Sequence, residues 1–565
     1  MFNFDYELSD LVGLKANLGQ NIQYINRNQM SQGGLNFDIE GWYNIQNVLN
    51  PDTPASLNNT KSQNNLTATF ANVDLNYSDY LFLNATARYE GNSVGVKGNQ
   101  FFLYPSVGLS FIPTKAFASL EDKNTLSHLK LYTNYSITGS LDPVDPYDVI
   151  PTARVATGFS FPNSDHVSYN DQYVLASQDL KPETYKTFEF GLGLGLLKDR
   201  IMIDAAYYNT KTEDLINDST VSNTTGLLNV LSNAGELSSN GFEIDLGYQA
   251  VKTDNFSWNG RLSYSTYKTE VIDAGESSSL IVFDGGSAGA DFNISAVEGE
   301  NFPTIMGTDW LRDQSGNIII NSANGRPLVD SKFKVLGQAT PDYILGWTNN
   351  FQYKGFGLSF TADFRTGHSF ISQTKYNLTW NGHLYDSAEV SREDGWIIPN
   401  SVYDDPSTVG VVDYIPNTSV LTGGNYTTPT VAGNLTQGYW NSAGQLGSHN
   451  LIDATSLRIR EIALSYEISK KALKNTGLTS LKFSVNARNP IVFLADGNLI
   501  KAKNGMENRG YADPEASSFY NQSTSTSARR PAGTQTNTAR NGVGFIGDGQ
   551  YPSTKTYGFT ISANF

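Results

Sequence analysis

Apolar and polar residues alternate along this chain over runs of ten or more positions. At the C-terminus, Tyr557, Phe559 and Phe565 fall on one side of an extended segment, while Gly558 and small polar residues fall on the other. The run TFEFGLGLGLL, at residues 187–197, alternates in the same way. Because successive side chains of a β-strand point to opposite faces, this pattern predicts long strands with one apolar, uncharged face.

The alternation predicts fifteen such strands. Most are longer than the roughly five or six residues usual in soluble proteins, and they reach the roughly nine to eleven that a tilted strand needs to cross a bilayer. They lie at about 2–9, 12–28, 66–77, 80–90, 101–113, 127–139, 184–197, 200–212, 239–251, 255–268, 341–353, 355–366, 456–469, 479–494 and 555–565.

Short and long connections alternate between the predicted strands. The long connections lie at about 29–65, 140–183, 213–238, 269–340, 367–455 and 495–554. Short turns at one rim and long loops at the other are typical of an outer-membrane barrel, in which the long loops are extracellular. The run at 34–48 also alternates, but counting it as a strand would exchange the two rims. We therefore place it within an extracellular loop.

Composition excludes several classes of protein. The net charge is −16 and no stretch is strongly basic, which argues against a nucleic-acid partner, because phosphate binding needs clustered lysine and arginine. The chain has no cysteine, so neither a disulfide nor a thiolate metal site is possible. No apolar run reaches the roughly 18 residues of a transmembrane helix.

A secreted β-sandwich or propeller would show the same alternation along any single strand. Three features favour an all-β, antiparallel transmembrane β-barrel instead. These are the strand lengths, the unequal loops at the two rims, and an aromatic residue at the end of the last strand.

Several ordered blocks of the sequence resemble the SusC/RagA family of TonB-dependent outer-membrane transporters, which is found in Bacteroidetes. The blocks are DLKPETYKTFEFGLGLGLLKDRIMIDAAYYNTKTEDLI, LSNAGELSSNGFEID, SLRIREIALSYEIS with SLKFSVNARNPIVF, YADPEAS, and YPSTKTYGFTISANF. The resemblance runs through nearly the whole chain.

The resemblance implies a bacterial outer-membrane protein that imports oligosaccharides or oligopeptides actively. In this family the inner-membrane TonB complex supplies the energy, and a SusD-like surface lipoprotein closes the extracellular mouth. It also implies that the insertion machinery of the outer membrane reads Tyr557, Phe559 and Phe565 as part of a C-terminal signal. A passive outer-membrane pore and a secreted or surface β-rich binding protein are the alternative functions.

Family barrels have roughly twenty-two strands, a plug and a TonB-contacting segment. Fifteen strands that begin with an inward one cannot close an antiparallel barrel, which needs an even number. We therefore expect residues 1–565 to be the C-terminal part of a barrel, with about seven strands, the plug and the TonB-contacting N-terminal region outside this chain.

The long connection at 367–455 is the best candidate for substrate binding. Flat aromatic rings beside asparagine, aspartate and threonine suit sugar rings or peptides. The candidates are Trp380, His383, Tyr385, Trp396, Tyr439 and Trp440. The alternative is that these rings simply pack a long loop.

Two other motifs carry weaker predictions. DPVDPYD places Asp142, Asp145 and Asp148 close together, where turns fixed by proline could direct carboxylates at Ca²⁺, although an ordinary extracellular turn is the alternative. GGSAG places Ser287 in a nucleophile-elbow pattern, but a small-residue loop lacks the strand and helix that the elbow needs. We expect no enzyme, and no cofactor other than calcium at the extracellular loops.

Overall fold

The computed structural model describes most of the chain. Its description leaves out residues 33–36, 49–56, 121–123, 151–152, 157–167, 172–173, 221–228, 276–278, 285–289, 391–395, 409, 422–435, 475, 502–508, 517–543 and 548–552. Ser287 therefore lies outside the described residues. None of the helices in the described part is long and apolar enough to span a membrane.

Fifteen long strands form one sheet in which each strand neighbours the next in the chain, with the first and last at its two ends. They are β1 (Phe2–Ser9), β2 (Val12–Gln32), β3 (Leu57–Tyr77), β4 (Leu81–Asn92), β5 (Phe101–Phe111), β6 (Leu126–Ser140), β7 (Glu183–Leu196), β8 (Ile201–Glu213), β9 (Glu236–Lys252), β10 (Phe256–Asp273), β11 (Tyr343–Tyr353), β12 (Phe356–Thr366), β13 (Ser456–Glu467), β14 (Ser480–Leu494) and β15 (Thr556–Asn564). The fifteen predicted strands are confirmed, and the pairings with a defined register are antiparallel.

The second and third strands are longer than the sequence predicts. They pair without a break from Val12 with Tyr77 to Gln32 with Leu57, so they form one continuous hairpin. The run at 34–48 lies within its connection, where the structure describes a bridge between Phe37 and Val48 and a short 3₁₀ helix. Its placement outside the set of long strands is therefore confirmed.

The apolar face of the sheet is exposed, and the opposite face carries the small and polar residues. In β7, Phe188 and Phe190 are exposed while Gly191, Gly193 and Gly195 are buried. In β15, the ring of Tyr557 is 72% exposed and that of Phe559 is 64% exposed. A soluble sheet would bury these rings, so this arrangement fits a sheet whose apolar face meets lipid.

The connections between the long strands contain short strands and helices that the sequence did not predict. The short strands are Ala153–Ala156, Ser168–Asp171, Val174–Ala176, Ile216–Thr220, Asn229–Asn233, Ser279–Asp284, Phe292–Val297, Thr304–Trp310, Ile318–Asn321, Arg326–Pro327, Val329–Gln338, Ser369–Ser372, Ser401–Asp404, Tyr414–Pro416, Leu451–Asp453 and Phe545–Ile546. The helices are α1 (Pro113–Ala116), α2 (Gln373–Trp380), α3 (Tyr385–Ala388), α4 (Gln437–Gln445), α5 (Gly447–Asn450) and α6 (Lys470–Leu473). Short 3₁₀ helices lie at Ile45–Asn47, Ala118–Leu120 and Asp496–Asn498.

The chain divides into two compact units. The first comprises Met1–Ala116, Leu131–Phe190 and Thr210–Glu236, and contains a core cluster that includes Leu180 and Leu231. The second comprises Phe117–Lys130, Gly191–Asn209 and Leu237–Phe565, and contains three core clusters, all formed by residues of the long connections.

Candidate functional site

The six aromatic and histidine candidates lie between β12 and β13, and all but Trp396 are on or next to short helices. Helix α2 begins after Ser372, whose hydroxyl oxygen accepts a hydrogen bond from the backbone N–H of Lys375 at 3.2 Å. This cap satisfies one of the free N–H groups at the helix start. The helix ends with Trp380, and α3 and α4 carry Tyr385 and Tyr439.

Three of the six candidates form one aromatic cluster. The rings of Trp396 and Tyr439 are 4.9 Å apart at their centroids, and those of Tyr439 and Trp440 are 5.1 Å apart, both edge to face. Trp310, from another long connection, stacks on Tyr439 at 5.7 Å. Trp310 was not predicted, because nothing in its own segment marks it as a partner of residues 367–455.

Trp440 is a core residue of this cluster. It is only 9% exposed and packs in one core cluster with Trp310, Leu384 and Leu446. Its indole Nε1 has no hydrogen-bond partner among the described residues. Burial of this ring stabilises the loops. This is the packing role, the alternative to substrate contact.

Trp380 lies apart from that cluster. Its ring stacks on Tyr376 with a centroid distance of 6.0 Å, and it is 41% exposed. His383 is exposed and Tyr385 is half-buried in the following turn of chain. Among the six candidates, Trp380 and His383 thus offer the most surface to a ligand.

A half-buried lysine lies on the same helix as Trp380. The Nζ atom of Lys375 lies 5.7 Å from the ring centroid of Tyr511, within range of a cation–π contact. Burial lowers the pKa of Lys375 to about 8, although the carboxylate of Asp386 opposes this shift. Lys375 and Tyr511 were missed by the sequence analysis, since a single lysine and a single tyrosine form no pattern.

His449 holds α5 against α2. The hydroxyl of Thr379 donates to the carbonyl oxygen of Lys375 at 2.8 Å, so it accepts from Nε2 of His449 at 3.0 Å. Burial lowers the pKa of His449 to about 3, with a further contribution from the nearby Lys375 charge. This histidine is therefore neutral at physiological pH and acts as a packing residue.

A cluster of arginines and carboxylates holds the segment 509–516 against β12 and β13. We call it the arginine–acid cluster; it consists of Asp363, Arg365, Arg458, Arg460, Asp513, Glu515 and Ser553. Nη2 of Arg458 lies 2.5 Å from Oδ1 of Asp513, and Nη2 of Arg460 lies 2.5 Å from Oε1 of Glu515. The backbone N–H of Ser553 donates to the carboxylate of Asp513 at 3.1 Å. The cluster therefore connects the two segments that flank residues 517–552.

The carboxylates of this cluster are held in their charged form. Burial alone would raise the pKa of Asp513, but hydrogen bonds from Ser553, Glu515 and Arg458 lower it below its usual value. The pKa of Glu515 is likewise lowered, because the surrounding arginines outweigh its burial. Arg458 is only 1% exposed, so these partners are essential to it. The sequence features that could have indicated this cluster are the YADPEAS block and the two arginines on the polar face of β13.

The three candidate calcium ligands form a turn. The backbone N–H of Asp145 donates to the carboxylate of Asp148 at 2.5 Å, and that of Asp142 donates to the hydroxyl of Ser140 at 3.0 Å. Within the described residues, no group of three or more histidine or acidic side chains is arranged to hold a metal ion. Calcium binding at this turn stays a prediction.

The C-terminal aromatic residues share one exposed face. Phe565 is 91% exposed, and its neighbour Asn564 pairs with Ser480 at the end of β15. Tyr557 and Phe559 lie on the same face of the strand. Their role as an insertion signal stays a prediction.

Comparison with known proteins identifies the family. A model of the TonB dependent receptor-like β-barrel family matches residues 2–310. TonB-dependent receptor P26 of Formosa agariphila is 24% identical over 94% of this chain and 49% of its own length. TonB-dependent receptor SusC of Bacteroides thetaiotaomicron is 26% identical over 70% of this chain and 39% of its own.

Solved structures show the same fold. The RagAB peptide transporter superimposes with a TM-score of 0.65 at 14% identity, over 90% of this chain and 52% of that one. This chain thus spans about half the length of receptor P26 and of the RagAB chain, and 39% of the length of SusC. Its exposed apolar sheet face and the match over residues 2–310 agree, and the chain belongs to the TonB-dependent receptor-like β-barrel family of the bacterial outer membrane.

Proposed function

We propose that this chain forms wall strands and outer loops of a transporter that imports oligosaccharides or oligopeptides across the outer membrane. The relatives named above are receptors and transporters, which supports a role without enzymatic chemistry. The observation that carries the proposal is the fifteen-stranded sheet with its apolar face exposed. A secreted binding protein would not expose these rings to water.

Three partners belong to this proposal. The TonB complex supplies the energy for passage, as the names of the relatives suggest. A SusD-like lipoprotein covers the extracellular mouth, as the resemblance to SusC implies. The insertion machinery recognises the terminal aromatic face that ends at Phe565.

Within the long connection at 367–455, the six candidates have different roles in this proposal. Trp380 and His383 contact the substrate, because they are the exposed members, and the half-buried Tyr385 follows them closely in the chain. Trp396, Tyr439 and Trp440 hold the loop fold that presents them, because their rings pack on one another. Calcium, if bound near Asp142, would stabilise a different loop.

Energy dependence separates active import from a passive pore. In cells that produce the native transporter, uptake of fluorescent oligosaccharides and oligopeptides is measured with and without an uncoupler. Active import predicts that uptake of the cognate substrate stops when the proton-motive force collapses. Uptake that continues at an unchanged rate would identify a passive pore.

A variant tests the proposed contact surface. Trp380→Ala should weaken binding of the cognate substrate about tenfold, since a stacked aromatic ring is lost while the fold remains. The control is Tyr43→Ala, which removes another exposed ring from a different connection. Equal affinity of Trp380→Ala and the unaltered protein would exclude this surface.

A further inference from the structure

A cavity opens in the first unit, between residues of β3, β4, β5 and β6 and of the connections that follow β4 and β6. Its volume is about 210 Å³. The described residues that line it are Leu66, Glu90, Asn92, Gln100, Phe102, Tyr104, Gly139, Ser140, Leu141 and Asp142. We call it the wall cavity. It lies in a different compact unit from the aromatic cluster.

A glycine makes room for one of the rings at this cavity. A Cβ atom at Gly139 would lie 2.7 Å from a ring carbon of Tyr104 and 2.9 Å from the carbonyl oxygen of Glu183. No ordinary side chain fits at those distances, so any other residue would push the Tyr104 ring away. Tyr104 therefore keeps its place at the wall cavity because position 139 has no side chain.

The charges of the lining are negative. Glu90 and Asp142 contribute two carboxylates, and the described lining residues include no lysine or arginine. Arg88, outside the lining, binds only Oε2 of Glu90, with Nε at 2.6 Å and Nη2 at 2.5 Å. Within the described structure, neither Oε1 of Glu90 nor the carboxylate of exposed Asp142 has a partner of its own.

The neighbouring amide adds to this preference. The side-chain N–H of Gln100 donates to the carbonyl oxygen of Gly95 at 3.2 Å, which leaves its own carbonyl oxygen available as an acceptor. The lining thus combines anionic acceptors with two aromatic rings. Carboxylates attract cations by Coulomb forces, and aromatic rings attract them by cation–π contact.

We propose that the wall cavity binds the ammonium or guanidinium group of a lysine or arginine side chain in an oligopeptide substrate. This inference rests on the proposed import function and selects oligopeptides within it. An ammonium group donates hydrogen bonds and accepts none, so it matches the free oxygens of Glu90 and Asp142. Arg88 already compensates the charge of Glu90, whereas a neutral sugar would leave the carboxylate of Asp142 without a cationic partner among the described residues.

Calorimetry on the purified full chain in detergent tests this proposal with defined probes. The tripeptide Gly-Lys-Gly should bind at least tenfold more tightly than the same peptide with norleucine, which lacks only the ammonium group. Asp142→Asn should weaken binding of Gly-Lys-Gly about tenfold. The matched control, Asp179→Asn, removes an exposed carboxylate outside the lining and should leave it unchanged.

Three results would overturn the proposal. Equal affinity for the lysine and norleucine peptides would show that charge is not recognised. Unchanged binding in Asp142→Asn would place the peptide elsewhere. Competition of cellobiose or Ca²⁺ for the site, with no lysine preference, would assign the cavity to a sugar or a metal instead.

The test of the wall cavity and the test of the import function can fail independently of each other. Calorimetry needs no energy source, so a lysine preference with no energised uptake in cells would contradict import alone. Energised uptake of substrates without any lysine preference would contradict the wall-cavity proposal alone. Gly139→Ala provides a second variant, because displacement of Tyr104 should weaken binding of Gly-Lys-Gly while the charges remain.

Discussion

The fifteen long strands and the long connections bury opposite kinds of residue. In the strands, large apolar side chains such as Phe188 and Phe559 are exposed. Among the described residues, only Ala68, Val271 and Ala362 of these strands are buried apolar residues, and every other one lies in a connection or short helix. Apolar side chains are therefore mostly exposed in the strands and mostly buried in the connections of the same chain.

This difference arises because the strands face lipid and the connections face water. In lipid the apolar surface needs no burial, so the strands are held mainly by their continuous hydrogen-bond ladder. In water the connections must form cores of their own, as Trp440 and Ile305 do. Loss of a large apolar ring should therefore matter most in the connections, and an added charge should matter most on the apolar face of the strands.

The largest effect is expected in a connection core. Trp440→Ala should destabilise the folded loops by about 3–5 kcal/mol, since a buried ring is lost and a cavity is left. Hydrogen exchange of the amides of α4 measures this change. The control Trp380→Ala should alter loop stability by less than about 0.5 kcal/mol, because that ring is half exposed. Equal protection in both variants would contradict the assignment of Trp440 to a core.

A charge on the apolar strand face should have the next largest effect. Leu192→Arg should cost about 2–4 kcal/mol in the membrane, because it places a cation against lipid. Its control, Gly193→Arg, puts the same charge on the opposite face, beside Asp204. The amount of heat-modifiable folded protein on a gel compares them. Equal loss in both variants would mean that the faces are assigned wrongly.

Removal of one carboxylate should loosen the arginine–acid cluster. Asp513→Asn should cost about 1–3 kcal/mol, because buried Arg458 loses one of its two charged partners. The exposed Asp254 provides the control, as Asp254→Asn breaks no pair among the described residues. Proteolysis near residues 509–516 should quicken in the first variant only.

The same cluster predicts a pH dependence. The folded-state pKa of Asp513 and of Glu515 is lowered, so their stabilisation is present above their ordinary values and is lost as pH falls through the folded values. Protection of the segment 509–516 should therefore persist at pH 5 to 7 and fail below about pH 4. A loss of protection near pH 6 would contradict this assignment.

A second pH dependence is expected at His449. Its folded pKa of about 3 lies below the usual value of 6.5, so its contribution is complete above pH 6.5 and falls as the pH drops towards 3. His449→Gln should flatten the pH dependence of α5 hydrogen exchange over that range. The control His383→Gln changes an exposed ring and should leave the dependence unaltered.

The candidate site was only partly predictable. Aromatic residues in a long connection marked residues 367–455, but nothing local separated exposed Trp380 from buried Trp440. Trp310 and Tyr511 join that region from other connections, at sequence distances that no periodicity records. Asp142 was predicted as a metal ligand, while the wall cavity around it is built by residues of four strands.

The sequence by itself determined the fifteen strands, their order and their apolar face, because the alternation of side chains is a local property of extended backbone. It could not determine how the long connections fold, since those residues have no period and bury their side chains against distant segments. The contact of Arg458 with Asp513 and the space that Gly139 leaves for Tyr104 were decided only by tertiary structure. Each depends on the distance between atoms far apart in the chain, which no run of neighbouring residues encodes.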